Sequence, residues 1–232
     1  MTVDAEPCFT PALFSFLRDL AANNDREWFG ANKARYIAEV QEPALAFVED
    51  VGMRLPEEVS PHFVADARAN GGSVFRIYRD TRFSKDKTPY KTHTGIQFRH
   101  ERSRDVHAPG YYLHLEPSNV FMACGCWHPE RETLHAIRTA IAGKPKRWLA
   151  IIEDPAFAEH FRLGGESLKR PPAGFDKDHP QLEHLKRKDF IAYAQLSEDA
   201  AISGDFLDRV LDLCCTAGGF MRFLCDGARV SY

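Results

Sequence analysis

No apolar run in this sequence approaches the roughly 18 residues that cross a bilayer as a helix. The opening MTVDAEPCFT also lacks the basic-then-apolar order of a secretory leader. A soluble, cytoplasmic protein without membrane association is expected. Cysteine is sparse and badly spaced for cross-linking. Cys8, Cys124, Cys126, Cys214, Cys215 and Cys225 contain no C-x-x-C pair, which argues against zinc fingers and against a compact disulfide framework. Reduced, mostly buried thiols follow. A G-x-x-x-x-G-K-[ST] phosphate loop, an H-E-x-x-H pair and a G-x-S-x-G elbow are all missing, so Walker-type nucleotide binding, zincin chemistry and a hydrolase serine have no support. Excess positive charge is absent as well. The 30 Lys and Arg are outnumbered by 33 Asp and Glu, for a net charge of −3, and a general nucleic-acid coat would need a basic domain.

What is present is enough apolar material for a substantial core: 44% hydrophobic and 12% aromatic residues in a chain of 232. Thr10 and Pro11 form a cap and first-turn proline ahead of Leu13, Phe16, Leu17 and Leu20 at helical spacing. Asp25 can cap a short helix through Trp28 and Phe29. Tyr36, Val40, Phe47, Val48 and Val51 continue an apolar stripe that Pro43 should interrupt or kink. From Ser73 the period falls to two. Strands are predicted around Phe75–Ile77, Ile96–Phe98, Leu113–Leu115 and Val120–Cys126, the last two joined by a tight connection at Pro117 and Ser118. One sheet face should bury aliphatic residues and the other should collect Arg76, Tyr78 and His114. Helices follow after Pro129 and around Trp148, then a proline-rich loop at 168–180, a strand at 190–196 and a helical region at 205–224 broken at Gly218 and Gly219. No repeat, low-complexity tract or linker divides the chain. The expected organisation is one α+β domain over 1–232, with a mainly antiparallel central sheet flanked by N-terminal and C-terminal helices.

Charge is concentrated in RIYRDTRFSKDKTPYKTH, residues 76 to 93, where six cations meet two acids. This segment carries +4 and the remainder of the chain −7. Arginine forks and mobile lysine ammoniums beside hydroxyl groups suit a phosphate or carboxylate. The candidate ligand-binding residues are therefore Arg76, Arg79, Arg82, Ser84, Lys85, Lys87, Tyr90 and Lys91, with Lys169 and Arg170 from the proline-rich loop. The competing reading is a salt-bridge network in which Asp80 and Asp86 pair with their own neighbours. Asp80, His114 and His179 are the candidate proton-transfer groups. His93, His114 and Glu116 form a trio able to hold a metal or exchange protons, but no metalloprotease or cysteine motif accompanies them, and neither metal nor cofactor is expected. Asp176 and His179 stand in a loop whose prolines could hold them over an anion bound by Arg79 and Arg82; the plainer role for Asp176 and Asp178 is local turn capping. Cys124 and Cys126 lie in an apolar strand that opposes thiolate formation, so no nucleophile stands out.

Five segments, NNDREWFGANK (23–33), IYRDTRFSKDKTPYKTH (77–93), GYYLHLEP (110–117), GCWHP (125–129) and LKRPPAGFDKDHP (168–180), together resemble the family catalogued as domain of unknown function 2461. The resemblance runs from about Phe9 to Leu224. It implies a single α+β domain of this length and no established activity. Function at this level is open between three classes: a small phosphorylated or carboxylated ligand in an Arg/Lys-rich cleft, with acid–base catalysis available to it; a nucleic-acid module using the same basic loop; and a non-catalytic structural or partner-binding domain. Oligomeric state is not legible.

Overall fold

Helix α1 (Pro11–Ala22) starts at a proline whose missing N–H would have had no intrahelical partner, and it buries Leu13, Phe14, Phe16, Leu17 and Leu20. The structure, a computed structural model, describes residues 6–102 and 108–232. Residues 1–5, half of the segment in which no leader is expected, lie outside the described residues. Helix α2 (Arg26–Ala31) is capped by the Asp25 carboxylate, which accepts the N–H groups of Glu27 and Trp28. After α3 (Lys33–Tyr36) the chain makes a π-helical turn, Ile37–Gln41, and runs into α4 (Glu42–Glu58). This wide turn is the interruption expected at Pro43, which has no N–H to donate to the preceding turn.

The sheet has six strands in the order β1-β2-β3-β4-β6-β5, and every pairing among the described residues is antiparallel. Strands β1 (Phe63–Val64), β2 (Thr94–His100), β3 (Gly110–Glu116) and β4 (Asn119–Cys126) precede helices α5 (Arg131–Gly143), α6 (Pro145–Ile152) and α7 (Pro155–His160). Strand β5 (Arg162–Gly164), helix α8 (Leu182–Leu185), strand β6 (Phe190–Leu196) and helices α9 (Glu198–Ala201), α10 (Phe206–Thr216) and α11 (Gly218–Ala228) complete the order. Three- and two-residue strands such as β5 and β1 are too short to show a period, which is why they escape a reading of the sequence.

The predicted strand at Phe75–Ile77 is not formed. Residues 73 to 75 lie along the edge of β2, joined by single bridges such as Val74 to Ile96, and 77 to 91 folds back on itself as an irregular hairpin. Arg79 N–H donates to the Pro89 carbonyl and Lys91 N–H to the Ile77 carbonyl, closing its base. A strand of alternating Phe75, Ile77 and charged residues would bury only one short edge, whereas the hairpin base buries Ile77 and Tyr90.

Helices cover one face of the sheet. Ile96, Phe98, Tyr111, Leu113, Leu115, Val120, Met122, Ala192 and Ala194 face them and join Phe16, Phe47, Phe206, Phe220 and Trp148 in one hydrophobic core. Each of the Val, Leu, Ile, Phe and Met side chains among them contributes about 1.5–3 kcal/mol by leaving water. Cys124, Cys126, Cys214 and Cys225 are buried in this core and none of the six cysteines is cross-linked. By the period of two, the other face carries Gly95, Gln97, Tyr112, His114, Glu116, Phe121, Ala123, Ile191 and Tyr193. No helix among the described residues is long and apolar enough to cross a membrane.

Candidate functional site

The sheet face opposite the helical core holds a cleft of about 440 Å³. Its floor and walls are Phe121, Ala123 and Gly125 of β4, Tyr112 of β3, Gln97 of β2 and Ile191 of β6, with Phe75, Lys91, His93 and Trp127 around them. That volume suits a small molecule, and the mix of aromatic lining with a few polar groups is typical of such sites.

Beside the cleft, β3 places Tyr112, His114 and Glu116 on one side because alternate residues share a face. The Tyr112 hydroxyl lies 2.9 Å from His114 Nδ1, and His114 Nε2 lies 3.2 Å from Glu116 Oε2. Gly95 stands directly across from His114, and a methyl group there would come within 2.7 Å of the Tyr112 hydroxyl. The bare glycine is what lets Tyr112 reach the imidazole. Glu116 is held on its other sides by the Thr92 hydroxyl and the Asn119 amide. The His114 ring stacks on Phe121 at 4.6 Å, and the His93 ring sits 4.4 Å from His114. The potential ligand atoms of His93, His114 and Glu116 all lie within 4.8 Å of one another. Extending the β2 register one step past the Thr94–Leu115 pair brings His93 beside Glu116, so the trio is readable from the pairing, though not from spacing alone.

Burial depresses both imidazole pKa values. For His93, desolvation and the neighbouring His114 bring it down to about 4, against a smaller opposing pull from Glu116. Desolvation likewise lowers His114, against the opposing effect of the Glu116 carboxylate that accepts its hydrogen bond. Hydrogen bonds from Asn119, His114 and Thr92 outweigh desolvation at Glu116 and keep it below the ordinary glutamate value. Tyr112 is raised by desolvation, so its hydroxyl stays protonated. Lys91 is pulled down by burial and by Arg76, and its ammonium donates to the Arg76 carbonyl at 2.9 Å while lying over the Phe75 ring.

The basic hairpin is arranged differently from the expected Arg/Lys-rich cleft. Of residues 76 to 91, only Lys91 lines the cavity. Arg82 forks onto Asp80, with Nη2 at 2.6 Å from Oδ2, and Arg79 pairs with Asp86 at 2.5 Å and with the Thr88 hydroxyl. The Arg82 hydrogen bonds hold Asp80 down at about 2; the Thr88 amide and then Arg79 do the same for Asp86. Both acids sit two residues from a backbone N–H that they accept, a local turn geometry that also recruits the arginine. Lys87 donates to the Thr81 carbonyl. Arg76 and Lys85 are exposed and form no ion pair among the described residues, and Ser84 lies near the tip. Tyr90 does not line the cleft: it is 5% exposed and its ring stacks on Phe29 at 4.1 Å. Tyr78, expected on the His114 face, packs instead against Phe29 and Tyr90.

Lys169, Arg170, Asp176 and His179 lie elsewhere. The proline loop borders a separate, open groove of about 1350 Å³ through Leu168, Pro172, Ala173 and Gly174, together with α5 and the end of α11, and shares no lining residue with the first cleft. Asp176 accepts the Asp178 N–H and His179 Nδ1 accepts the Gln181 N–H, so both work as local caps. The expected placement of these groups over an anion held by Arg79 and Arg82 is not formed.

Two positioning residues escape a reading of the sequence. Asn24 clamps the hairpin base in both directions, accepting the Tyr90 N–H through Oδ1 and donating Nδ2 to the Tyr90 carbonyl, each at 3.0 Å. It thereby joins the NNDREWFGANK motif to the basic one. Asn24→Ala should cost about 2 kcal/mol, since two backbone groups lose partners, and hydrogen exchange should quicken at residues 77 to 91 while the sheet stays protected; uniform exchange would contradict a local clamp. Asp189, 1% exposed, accepts the His128 N–H at 2.7 Å and the Glu166 N–H at 3.0 Å, and faces His128 Nδ1 at 3.1 Å. His128 is the left-handed corner (φ 46°) that this carboxylate holds next to Trp127.

A family model described as "Conserved hypothetical protein (DUF2461)" matches residues 12–223 of the chain. No curated protein matches it.

Proposed function

Because the chain belongs to the DUF2461 family, whose description carries no activity, we propose a function from the cleft alone: it binds a small molecule with one carboxylate or phosphate and an apolar body. The single observation that carries this reading is the meeting of Lys91 and His93 with Phe75, Tyr112, Phe121 and Trp127 around one cavity of suitable size. The aromatic groups take the body of the ligand, Lys91 takes the anion, and Gln97 orients it. The site is thus a one-lysine pocket rather than the Arg/Lys-rich cleft expected from the hairpin's charge, because Asp80 and Asp86 hold Arg82 and Arg79 away from it. Of the three candidate proton-transfer groups, only His114 stands close to the cleft, one ring behind the His93 wall.

The test is a binding screen of aryl and alkyl carboxylates and phosphomonoesters, each against a neutral amide or alcohol of the same shape. A carboxylate that binds should outbind its amide by about tenfold or more, since a charged hydrogen bond contributes about 1.5–3 kcal/mol. Lys91→Met should remove that preference, and Ala123→Leu, which fills the floor, should weaken both partners. Arg82→Ala should leave binding unchanged. Equal affinity for acid and amide, or a loss with Arg82→Ala and none with Lys91→Met, would refute the pocket.

A further inference from the structure

The cleft is short of positive charge for an anion site, and the missing charge has a place to sit. We propose that His93, His114 and Glu116 bind a divalent first-row transition metal ion beside the cleft, at its His93 wall. This goes beyond the ligand reading and does not depend on it.

Two imidazoles and a carboxylate form a donor set used for zinc, iron and related ions, and three protein ligands leave positions open for water or a ligand oxygen. The spacing fits. Metal–ligand distances of about 2.0–2.2 Å put neighbouring donors roughly 3 Å apart, and His114 Nε2 and Glu116 Oε2 stand at 3.2 Å. His93 shares the same sphere, with all three donors inside 4.8 Å. The surrounding groups are those that orient ligands. Tyr112 meets His114 at Nδ1, leaving Nε2 directed at Glu116, and Thr92 and Asn119 hold the carboxylate. His93 completes the case: its ring is half-buried against His114, yet neither nitrogen has a hydrogen-bond partner among the described residues. An imidazole so placed, beside a second imidazole and a carboxylate, has a ring nitrogen available to a cation. Since His93 also lines the cleft, a metal held by it would border the space assigned to the small molecule, where an anionic oxygen of that molecule would complete its coordination. Coordination needs the His114 Nε2 lone pair, so the imidazole takes the tautomer with its proton on Nδ1, where the Tyr112 hydroxyl oxygen accepts it, and the cation takes the place of the hydrogen bond between Nε2 and Glu116.

The experiment titrates full-length, EDTA-treated protein with Co(II) alone, reads the visible d–d bands, and then displaces Co(II) with Zn(II). One equivalent should bind. His93→Ala and Glu116→Gln should each weaken binding by more than about 100-fold, and Tyr112→Phe by about tenfold, as orienting partners typically do. His62→Ala, which alters the separate His62–Glu101 pair, should change nothing. His93→Ala removes a ring at the edge of the site, so it remains informative where His114 variants fail to fold. Absence of stoichiometric binding, or binding that survives His93→Ala, overturns the proposal. Titrating the chosen carboxylate in EDTA separates the two readings. Ligand binding without metal uptake sinks only the metal site, and metal uptake without ligand binding sinks only the pocket.

Discussion

Gly125→Ala should destabilise the protein by about 3–5 kcal/mol, the range of backbone strain combined with core overpacking. Gly125 lies in β4 at φ 120°, a region that side-chain-bearing residues rarely enter. A methyl group there would point at the Phe190 carbonyl oxygen from 2.0 Å and at Ile191 Cα from 3.0 Å. These are backbone atoms of the neighbouring strand and cannot rotate away. Relief requires β4 and β6 to part where both line the cleft. Chemical denaturation should show a large fall in midpoint at unchanged slope. Gly30→Ala provides the control, because nothing lies within 4 Å of its added methyl group and Gly30 sits inside α2. There the same chemical change should stabilise by about 0.5–1 kcal/mol. If the two substitutions shift stability alike, the steric account of Gly125 is wrong.

Asp189→Ala should cost about 3 kcal/mol, or roughly 6–12 °C in melting temperature for a chain of this size. The loss comes from two backbone N–H groups, at His128 and Glu166, that would be left without the carboxylate they share. These groups belong to the bends that follow β4 and β5, and Asp189 itself precedes β6, so one side chain ties three strand ends together. Asp189→Asn should fall between the parent and the alanine variant, because its amide offers one acceptor oxygen but turns a donor toward the second N–H. The cleft should suffer alongside, since Trp127 adjoins the His128 corner and forms part of the wall. Asp189→Ala with a melting temperature within about 2 °C of the parent would show that solvent replaces the carboxylate at little cost.

Residues whose role is set by their immediate neighbours were legible. Pro11 opens α1 as expected, although the Thr10 side chain makes no cap hydrogen bond, and Asp25 caps α2 through the N–H groups two and three positions on. The alternation of Leu113 and Leu115 with Tyr112, His114 and Glu116 announced both a strand and the division of its faces. The helical region does divide, but at Ala217: Gly218 and Gly219, where the break was expected, open α11, which runs on to Ala228. The five motifs also sufficed to identify the family. The basic hairpin was legible as a concentration of charge and misleading as a site. An aspartate two residues before an arginine is itself a local signal, and Asp80 with Arg82 shows how readily such a pair closes on itself when one turn brings both side chains to the same side.

Chemistry along the chain thus determined the main helices and the strands β2, β3, β4 and β6, which sheet face is apolar and how much charge residues 76 to 93 carry. Only tertiary structure decided what that charge does, and it did so through partners far apart in sequence. Asn24 grips Tyr90 across 66 positions, Asp189 grips His128 across 61, and strand register sets His93 beside Glu116. Hydrogen bonds and ion pairs act over about 3 Å, a distance that sequence separation does not encode until the sheet has chosen its register. That choice moved the candidate site from the arginines of the hairpin tip to the histidines at its base.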